Sequence, residues 1–104
     1  MPRRGDLKTY DQEDVTVDNT SGGVRLSLAK ILGAPGPAKA ATLTVETAQI
    51  RWKKDKTGTV TATTGGYVAN VGSSIFLDNT NDLVNFRAIR TGSTSGKVHA
   101  EFHR

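Results

Sequence analysis

The chain contains no cysteine among its 104 residues. No disulfide can therefore staple the fold, and no thiolate is available as a catalytic nucleophile or as a zinc ligand. Such a composition is compatible with a reducing cytosol. Burial of apolar side chains has to hold the fold together, and the length suits a single domain with one core.

Long apolar runs are also missing from the sequence. No stretch approaches the roughly 18 apolar residues that a membrane-spanning helix needs. The first residues carry Arg3 and Arg4 but no apolar segment behind them, as a signal peptide would have. We therefore expect a soluble protein that has no membrane partner and is not exported by the general secretory route.

Patterns that carry catalysis are not recognisable either. The sequence shows no nucleophile elbow, no phosphate-cradling glycine loop and no paired-carboxylate arrangement. Aromatic residues are few, with three Phe, two Tyr and one Trp. We expect a protein that is not an enzyme, with no catalytic residues, no cofactor and no metal site.

Apolar and polar residues alternate with a period of two in several stretches, which is typical of half-buried β-strands. The clearest stretches are residues 24–28, 41–45, 50–53, 84–88 and 97–103. No stretch carries a sustained helical stripe, although residues 29–32 suit either a strand extension or one helical turn. With shorter β-branched runs, about seven or eight strands are expected. We predict an all-β fold, an antiparallel β-sandwich of jelly-roll or immunoglobulin-like type.

The chain divides into an arm and a domain. Residues 1–13 are polar and unpatterned and contain Pro2 and Gly5, which predicts an extended N-terminal arm outside the core. Residues 14–104 are predicted to form the sandwich domain. Its expected inward-facing residues are Val15, Val17, Val24, Leu26, Leu28, Leu43, Val45, Ile50, Trp52, Ile75, Leu77, Val84, Phe86, Val98, Ala100 and Phe102.

Ile89 conflicts with this alternation. If Phe86 and Ala88 point inwards, Ile89 points outwards. Either a β-bulge follows Ala88, which we favour, or Ile89 contacts a partner subunit.

Two polar groupings suggest ligands on first inspection. His99, Glu101 and His103 share one strand face, but histidines four residues apart on a strand are about 13 Å apart. That separation is too large for one shared metal ion. Residues 78–82 offer oxygen ligands to calcium but lack the spacing of a calcium loop, so an ordinary Asx turn is the better interpretation.

Positive charge is concentrated in two segments. Residues 49–56 and residues 84–104 each carry a net charge of +3, against +4 for the whole chain. Clustered cations beside an aromatic ring are typical of single-stranded nucleic-acid binding. Alternation, however, places Trp52 on the opposite face from Arg51 and Lys53. We therefore favour a solvated face or contact with an acidic neighbour over a nucleic-acid partner.

Three segments together, residues 43–52, 61–66 and 85–90, resemble small β-rich virion structural proteins of tailed bacteriophages. The resemblance covers residues 14–104 and ends in a strand that closes on Phe102, His103 and Arg104. The chain departs from the pattern in the lysine-rich loop at residues 53–56. The resemblance implies a component of the particle, present in many copies, that binds a shell, neck or tail surface.

Three functions follow as hypotheses. The first is a capsid decoration or cement protein, homo-oligomeric, assembled in the host cytoplasm and located in the virion, whose arm and one sandwich edge bridge subunits of the major capsid protein. The second is a neck or tail accessory protein of the same virion, and the third is a carbohydrate- or nucleic-acid-binding module. The residues predicted to contact a partner are Arg3, Arg4, Lys8, Tyr10, Arg51, Lys53 and Ile89.

Overall fold

The computed structural model of this chain describes residues 9–33, 36–54 and 60–104. Over these residues the protein is mostly β, as the predicted all-β class requires, with seven strands and two short helices. In chain order the elements are β1 (Thr9–Val17), α1 (Leu28–Leu32), β2 (Ala40–Glu46), β3 (Ile50–Lys53), β4 (Tyr67–Ala69), β5 (Ser74–Leu77), α2 (Thr80–Asn85), β6 (Arg87–Arg90) and β7 (Gly96–His103).

The strands form two antiparallel sheets. The larger sheet has the order β1-β7-β2-β5, and the smaller has the order β4-β3-β6. β7 lies inside the larger sheet and pairs with β1 on one side and with β2 on the other. The first and last strands of the described chain are therefore hydrogen-bonded neighbours.

Alternation explains which face of the larger sheet is buried. On β7, the fully buried Val98, Ala100 and Phe102 alternate with partly exposed polar residues. Leu43 and Val45 of β2 lie directly opposite Ala100 and Val98 and are also fully buried. Burying one Val, Leu or Phe side chain contributes about 1.5–3 kcal/mol. A register slip of one residue would expose this whole set, so the pattern fixes the register.

One buried apolar cluster contains residues of both sheets. Its members from the predicted inward set are Val17, Leu26, Leu43, Val45, Ile50, Ile75, Leu77, Phe86, Val98, Ala100 and Phe102. Val15, Trp52 and Val84 are partly buried and pack against the cluster. Leu28 was expected inside but is 39 % exposed, whereas Ile31 and Leu83, on the two helices, are buried and were not expected.

Two stretches predicted as strands are not strands over their full length. Residues 24–28 contribute an isolated bridge from Val24 to Ala88, and α1 then begins after Ser27, whose hydroxyl accepts from the Lys30 amide. Residues 84–88 are divided between the end of α2 and the start of β6. The helices have five and six residues, and no helix in the described part of the chain is long and apolar enough to cross a membrane.

β6 resolves the conflict at Ile89. β6 pairs with β3 in unbroken register, with Ala88 opposite Trp52 and Ile89 opposite Arg51. The expected bulge after Ala88 is therefore wrong. Ala88 and Ile89 are 0 % and 7 % exposed although they point to opposite faces, so this chain covers both faces of β6.

The boundary of the predicted arm also changes. β1 begins at Thr9, so residues 9–13 belong to the larger sheet, where Thr9 pairs with His103 and Glu13 with Ala100. Residues 1–8, the rest of the predicted arm, lie outside the described residues.

Candidate functional site

The described residues among those predicted to contact a partner do not form one surface. Three of the predicted residues lie outside the described part of the chain: Arg3, Arg4 and Lys8. Tyr10 lies on β1, at one edge of the larger sheet. The other three lie together on the smaller sheet: Arg51, Lys53 and Ile89.

Tyr10 is held by contacts within the chain. Its hydroxyl donates to the backbone carbonyl of Lys30 at 2.9 Å, and the guanidinium carbon of Arg104 lies 4.1 Å from the centre of its ring. Burial raises the pKa of the Tyr10 hydroxyl, and the charge of Arg104 opposes that rise. Beside it, Asp11 Oδ1 lies 3.0 Å from Lys30 Nζ. These contacts fasten β1 to α1, so Tyr10 serves the fold.

Arg51, Lys53 and Ile89 share one face of the smaller sheet, as their alternation requires. Arg51 Nη1 donates to the Gly66 carbonyl at 3.2 Å, and Arg51 Nε donates to the Ala62 carbonyl at 3.4 Å. Lys53 is 8 % exposed and Ile89 is 7 % exposed. Most of this expected contact surface is therefore buried or hydrogen-bonded within the chain itself.

Arg87 adds a further cation to the same face, and the sequence analysis did not single it out. It lies directly opposite Lys53 across the strands. Burial lowers the pKa of the Arg87 guanidinium, and the nearby positive charge of Arg25 lowers it further. Arg25 Nη2 in turn donates to the Val84 carbonyl at 3.2 Å. Alternation along residues 87–90 was the signal that places Arg87 with Ile89.

Exposed apolar side chains lie on and beside β4, the edge strand of the smaller sheet on the side opposite β6. Tyr67 and Val68 of the edge strand β4 are 63 % and 46 % exposed, and Val71, just beyond it, is 57 % exposed. We call these three residues the β4 edge. The Tyr67 ring lies 5.3 Å from the Trp52 ring, which lies 6.0 Å from the buried Phe86 ring. The exposed ring is thus supported by an aromatic row that leads into the core.

His99 and His103 lie on the outer face of the larger sheet, and each has its own partners. The His103 ring nitrogens lie 3.0 Å from Thr9 Oγ1 and 2.9 Å from Thr42 Oγ1. His99 Nδ1 lies 2.7 Å from Asp14 Oδ1. The two histidines are therefore engaged at separate places on the face.

A different grouping forms around His99. Ligand atoms of Asp14, Glu46 and His99 all lie within 4.8 Å of one another. We call these three residues the carboxylate–histidine cluster. Asp14 lies opposite His99 on one side, and Glu46 is two residues along from Thr44, which lies opposite His99 on the other side. No sequence pattern indicates this cluster, because it depends on the strand order β1-β7-β2.

Hydrogen bonding shifts the pKa values of two members of the cluster. The bond to Asp14 raises the pKa of the His99 imidazole, and the negative charges of Asp14, Glu101 and Glu46 add to the rise. The same bond lowers the pKa of the Asp14 carboxyl group, with a further contribution from Lys97, whose Nζ lies 3.8 Å from Asp14 Oδ2. The protonated histidine is the form that this arrangement stabilises.

The Asx-rich segment at residues 78–82 starts a helix. Asn79 is the N-cap of α2, and its Oδ1 accepts from the Asp82 amide at 2.9 Å. Asp82 Oδ2 lies 3.6 Å from Lys54 Nζ. Of the side-chain oxygens that suggested a turn or a calcium loop, that of Asn79 thus satisfies an amide in the first turn of the helix.

Comparison with known proteins supplies no relative for this chain. No protein-family model, no curated protein and no solved structure matches it.

Proposed function

We propose that this chain is a non-enzymatic structural protein of a tailed-bacteriophage virion. In its most direct form it is a capsid decoration or cement protein that binds neighbouring subunits of the major capsid protein and itself associates into oligomers. The proposal includes a β-sandwich architecture, jelly-roll or immunoglobulin-like, for the two sheets. Support comes from the resemblance of residues 14–104 to small β-rich virion proteins and from the surface described above.

The β4 edge is the observation that carries this proposal. An exposed edge strand offers unpaired backbone groups and is a ready template for another chain. Here the edge also offers three apolar side chains, and the aromatic row behind Tyr67 fixes one of them in place. A neighbouring capsid subunit that covered Tyr67, Val68 and Val71 would gain apolar burial at little cost in side-chain ordering.

β1 supplies a second point of attachment in this proposal. It is an edge strand of the larger sheet, and residues 1–8 precede it in the chain. Those residues bring Arg3, Arg4 and Lys8 to a neighbouring subunit, where positive charge favours an acidic surface. Two modest contacts made by one molecule, repeated over a symmetric shell, give a strength of attachment that neither contact has alone.

Attachment to capsids tests the β4 edge directly. We expect the double variant Tyr67→Asp and Val68→Asp to lower cosedimentation with capsids of the encoding phage at least about tenfold, because it places charge in an apolar contact. Leu32→Asp is the matched control, since Leu32 is 54 % exposed and lies on α1, away from β4 in the chain. Equal attachment of the double variant and the control would remove the β4 edge from the proposal.

Copy number tests the virion assignment itself. Quantitative mass spectrometry of purified particles, measured against the major capsid protein, should find on the order of hundreds of copies for a decoration protein. About six to twelve copies would assign the chain to a neck or tail ring. Absence of the chain from the particles would overturn the virion function.

A carbohydrate-binding module is the second candidate, and the exposed ring of Tyr67 favours it. Sugar rings stack on exposed aromatic side chains that a scaffold holds rigid, as Trp52 holds Tyr67. A glycan-binding screen with the wild type and Tyr67→Ser tests it, and binding that is lost in the variant would support this candidate. Nucleic-acid binding gains no such support, because Arg51 already donates to carbonyl groups of its own chain and Lys53 is buried.

A further inference from the structure

We propose that Asp14, Glu46 and His99 bind a divalent transition-metal ion, with zinc as the test case, on the outer face of the larger sheet. Imidazole nitrogen and carboxylate oxygen are both ligands that zinc accepts, and imidazole also suits other divalent transition metals. The site is independent of the β4 edge and of any role in a virion.

The three ligands are placed by backbone pairing. β7 lies between β1 and β2, so His99 has Asp14 opposite it on one strand and Thr44 opposite it on the other. Glu46, two residues beyond Thr44, points to the same face as Thr44. The backbone positions of all three ligands are thus fixed by hydrogen bonding in the sheet, and only side-chain rotation is needed to bring the ligands onto an ion.

The distances between the ligand atoms are short enough for side-chain rotation to bring them onto one ion. Ligands about 2.1 Å from a tetrahedral zinc ion are roughly 3.4 Å from one another. The ligand atoms of the cluster lie within 4.8 Å of one another, and Asp14 Oδ1 and His99 Nδ1 are 2.7 Å apart. Glu46 is exposed at the end of β2, so its side chain can rotate towards the other two. The remaining coordination position faces solvent and would take a water molecule.

Glu101 lies beside the second ring nitrogen of His99. Histidine ligands usually direct their second ring nitrogen to a carboxylate, which fixes the orientation and tautomer of the ring. In this structure His99 Nδ1 faces Asp14, and His99 Nε2 lies 3.8 Å from Glu101 Oε2. A carboxylate therefore lies on the far side of the ring, and a small side-chain rotation would bring it within hydrogen-bond distance as an orienting partner.

Two charges compete with the ion. Lys97 Nζ lies 3.8 Å from Asp14 Oδ2, and Lys97 is also the cross-strand partner of Glu46. A proton on His99 blocks the ligand nitrogen. Around His99 the charged groups are Asp14 on β1, Glu46 on β2, and Lys97 and Glu101 on β7 itself.

Isothermal titration of the full chain with zinc chloride at about pH 7.5, with the chain first stripped by a chelator, tests the proposal. We expect one ion per chain for the wild type and an affinity lowered at least about tenfold in His99→Gln and in Glu46→Gln. His103→Gln is the matched control, since His103 lies on the same strand and face but is bonded to Thr9 and Thr42. It should bind zinc as the wild type does.

Three results would overturn the site. They are no binding by the wild type up to about 1 mM zinc, unchanged binding by His99→Gln, or an equal loss in His103→Gln. Glu46→Gln keeps the test decisive if His99→Gln is poorly folded, because Glu46 is exposed at a strand end. A zinc-dependent shift of the His99 ring nitrogens in NMR spectra, absent at His103, distinguishes ligation from surface adsorption.

Discussion

The hydrogen bond between Asp14 and His99 shifts the pKa of the histidine. His99 Nδ1 lies 2.7 Å from Asp14 Oδ1, and this bond is the largest cause of the raised His99 pKa. We expect Asp14→Asn to lower the pKa of His99 towards its ordinary value near 6.5, as measured by NMR titration of the imidazole. Asp11→Asn is the control, because Asp11 pairs with Lys30, and it should leave the titration unchanged. An unchanged titration in Asp14→Asn would contradict the assignment.

The same bond makes folding stability depend on pH. The pKa of His99 is higher in the folded chain than in the unfolded chain, so its contribution is complete below about pH 6.5 and is lost as the pH rises through the raised value. The carboxyl group of Asp14 has a lowered pKa, so its contribution is lost only in acid. Denaturation of the wild type and His99→Gln should therefore differ most between about pH 5 and 6.5. A difference that stays constant up to about pH 9 would contradict this.

Gly96 is a residue where one methyl group should be costly. A Cβ there would lie 2.6 Å from Ile50 Cγ2 and 2.8 Å from the Ala48 carbonyl oxygen. We expect Gly96→Ala to lower the free energy of unfolding by about 1–3 kcal/mol, measured by urea denaturation, because the added methyl group would overpack the site. At Gly92 a Cβ would meet nothing within 4 Å. Gly92→Ala shares the entropic effect on the unfolded chain and should be neutral or slightly stabilising. Equal stability of the two variants would show that the Gly96 site has room.

At the scale of elements, α2 depends on its cap. Asn79 Oδ1 accepts from the Asp82 amide at 2.9 Å, which satisfies one of the free amides in the first turn. We expect Asn79→Ala to lower the free energy of unfolding by about 0.5–2 kcal/mol. Asn81→Ala, an exposed position inside α2, is the control and should change it by less than about 0.5 kcal/mol. If both variants cost the same, the cap contributes nothing specific.

Sequence patterns predicted the strands that bury one face, left residues 29–32 open between a strand extension and the helical turn that α1 forms, and failed at α2. β2, β3 and β7 lie where alternation put them. At residues 84–88, alternation was misleading because α2 is six residues long, too short to show a helical stripe. The capping oxygen of Asn79 was visible in the sequence, but the same side-chain chemistry also makes an Asx turn. The helix, as opposed to an Asx turn, is favoured by the packing of Leu83 into the core, which the sequence pattern does not show.

Contact surfaces were harder to predict than faces. Alternation placed Arg51 and Lys53 on the face opposite Trp52, and the register of β3 with β6 adds Ile89 to that face. Alternation gave no sign that residues 60–66 would accept hydrogen bonds from Arg51, or that Lys53 and Ile89 would be buried. Periodicity assigns a residue to a face of its strand, and it leaves open whether another part of the chain covers that face.

At the scale of the whole molecule, strand order could not be predicted from the sequence. The carboxylate–histidine cluster joins residues 14, 46 and 99, and these meet because β7 lies between β1 and β2. Contacts of such long sequence separation leave no local pattern. The pairing of β1 with β7 is of the same kind, and it explains why the boundary of the arm was placed five residues too late.

The pairing of β1 with β7 leads to a prediction about truncation. Removing residues 1–8 leaves every described contact of β1 in place. Removing residues 1–13 deletes the bond from the Tyr10 hydroxyl to the Lys30 carbonyl, the Asp11–Lys30 ion pair and the bond from the Ser27 amide to Glu13. It also deletes half of the β1–β7 ladder. At about 1 kcal/mol for each side-chain hydrogen bond, we expect a loss of at least about 2–4 kcal/mol in the longer truncation only.

Thermal unfolding followed by circular dichroism measures this difference. The midpoint of the chain that lacks residues 1–13 should fall by at least about 10 °C, and that of the chain that lacks residues 1–8 should stay within a few degrees of the wild type. Equal midpoints for the two truncations would mean that residues 9–13 add nothing to the sheet. Attachment to capsids should therefore be compared with the shorter truncation, because in the longer one a loss of attachment would be confounded with a loss of the β1 edge itself.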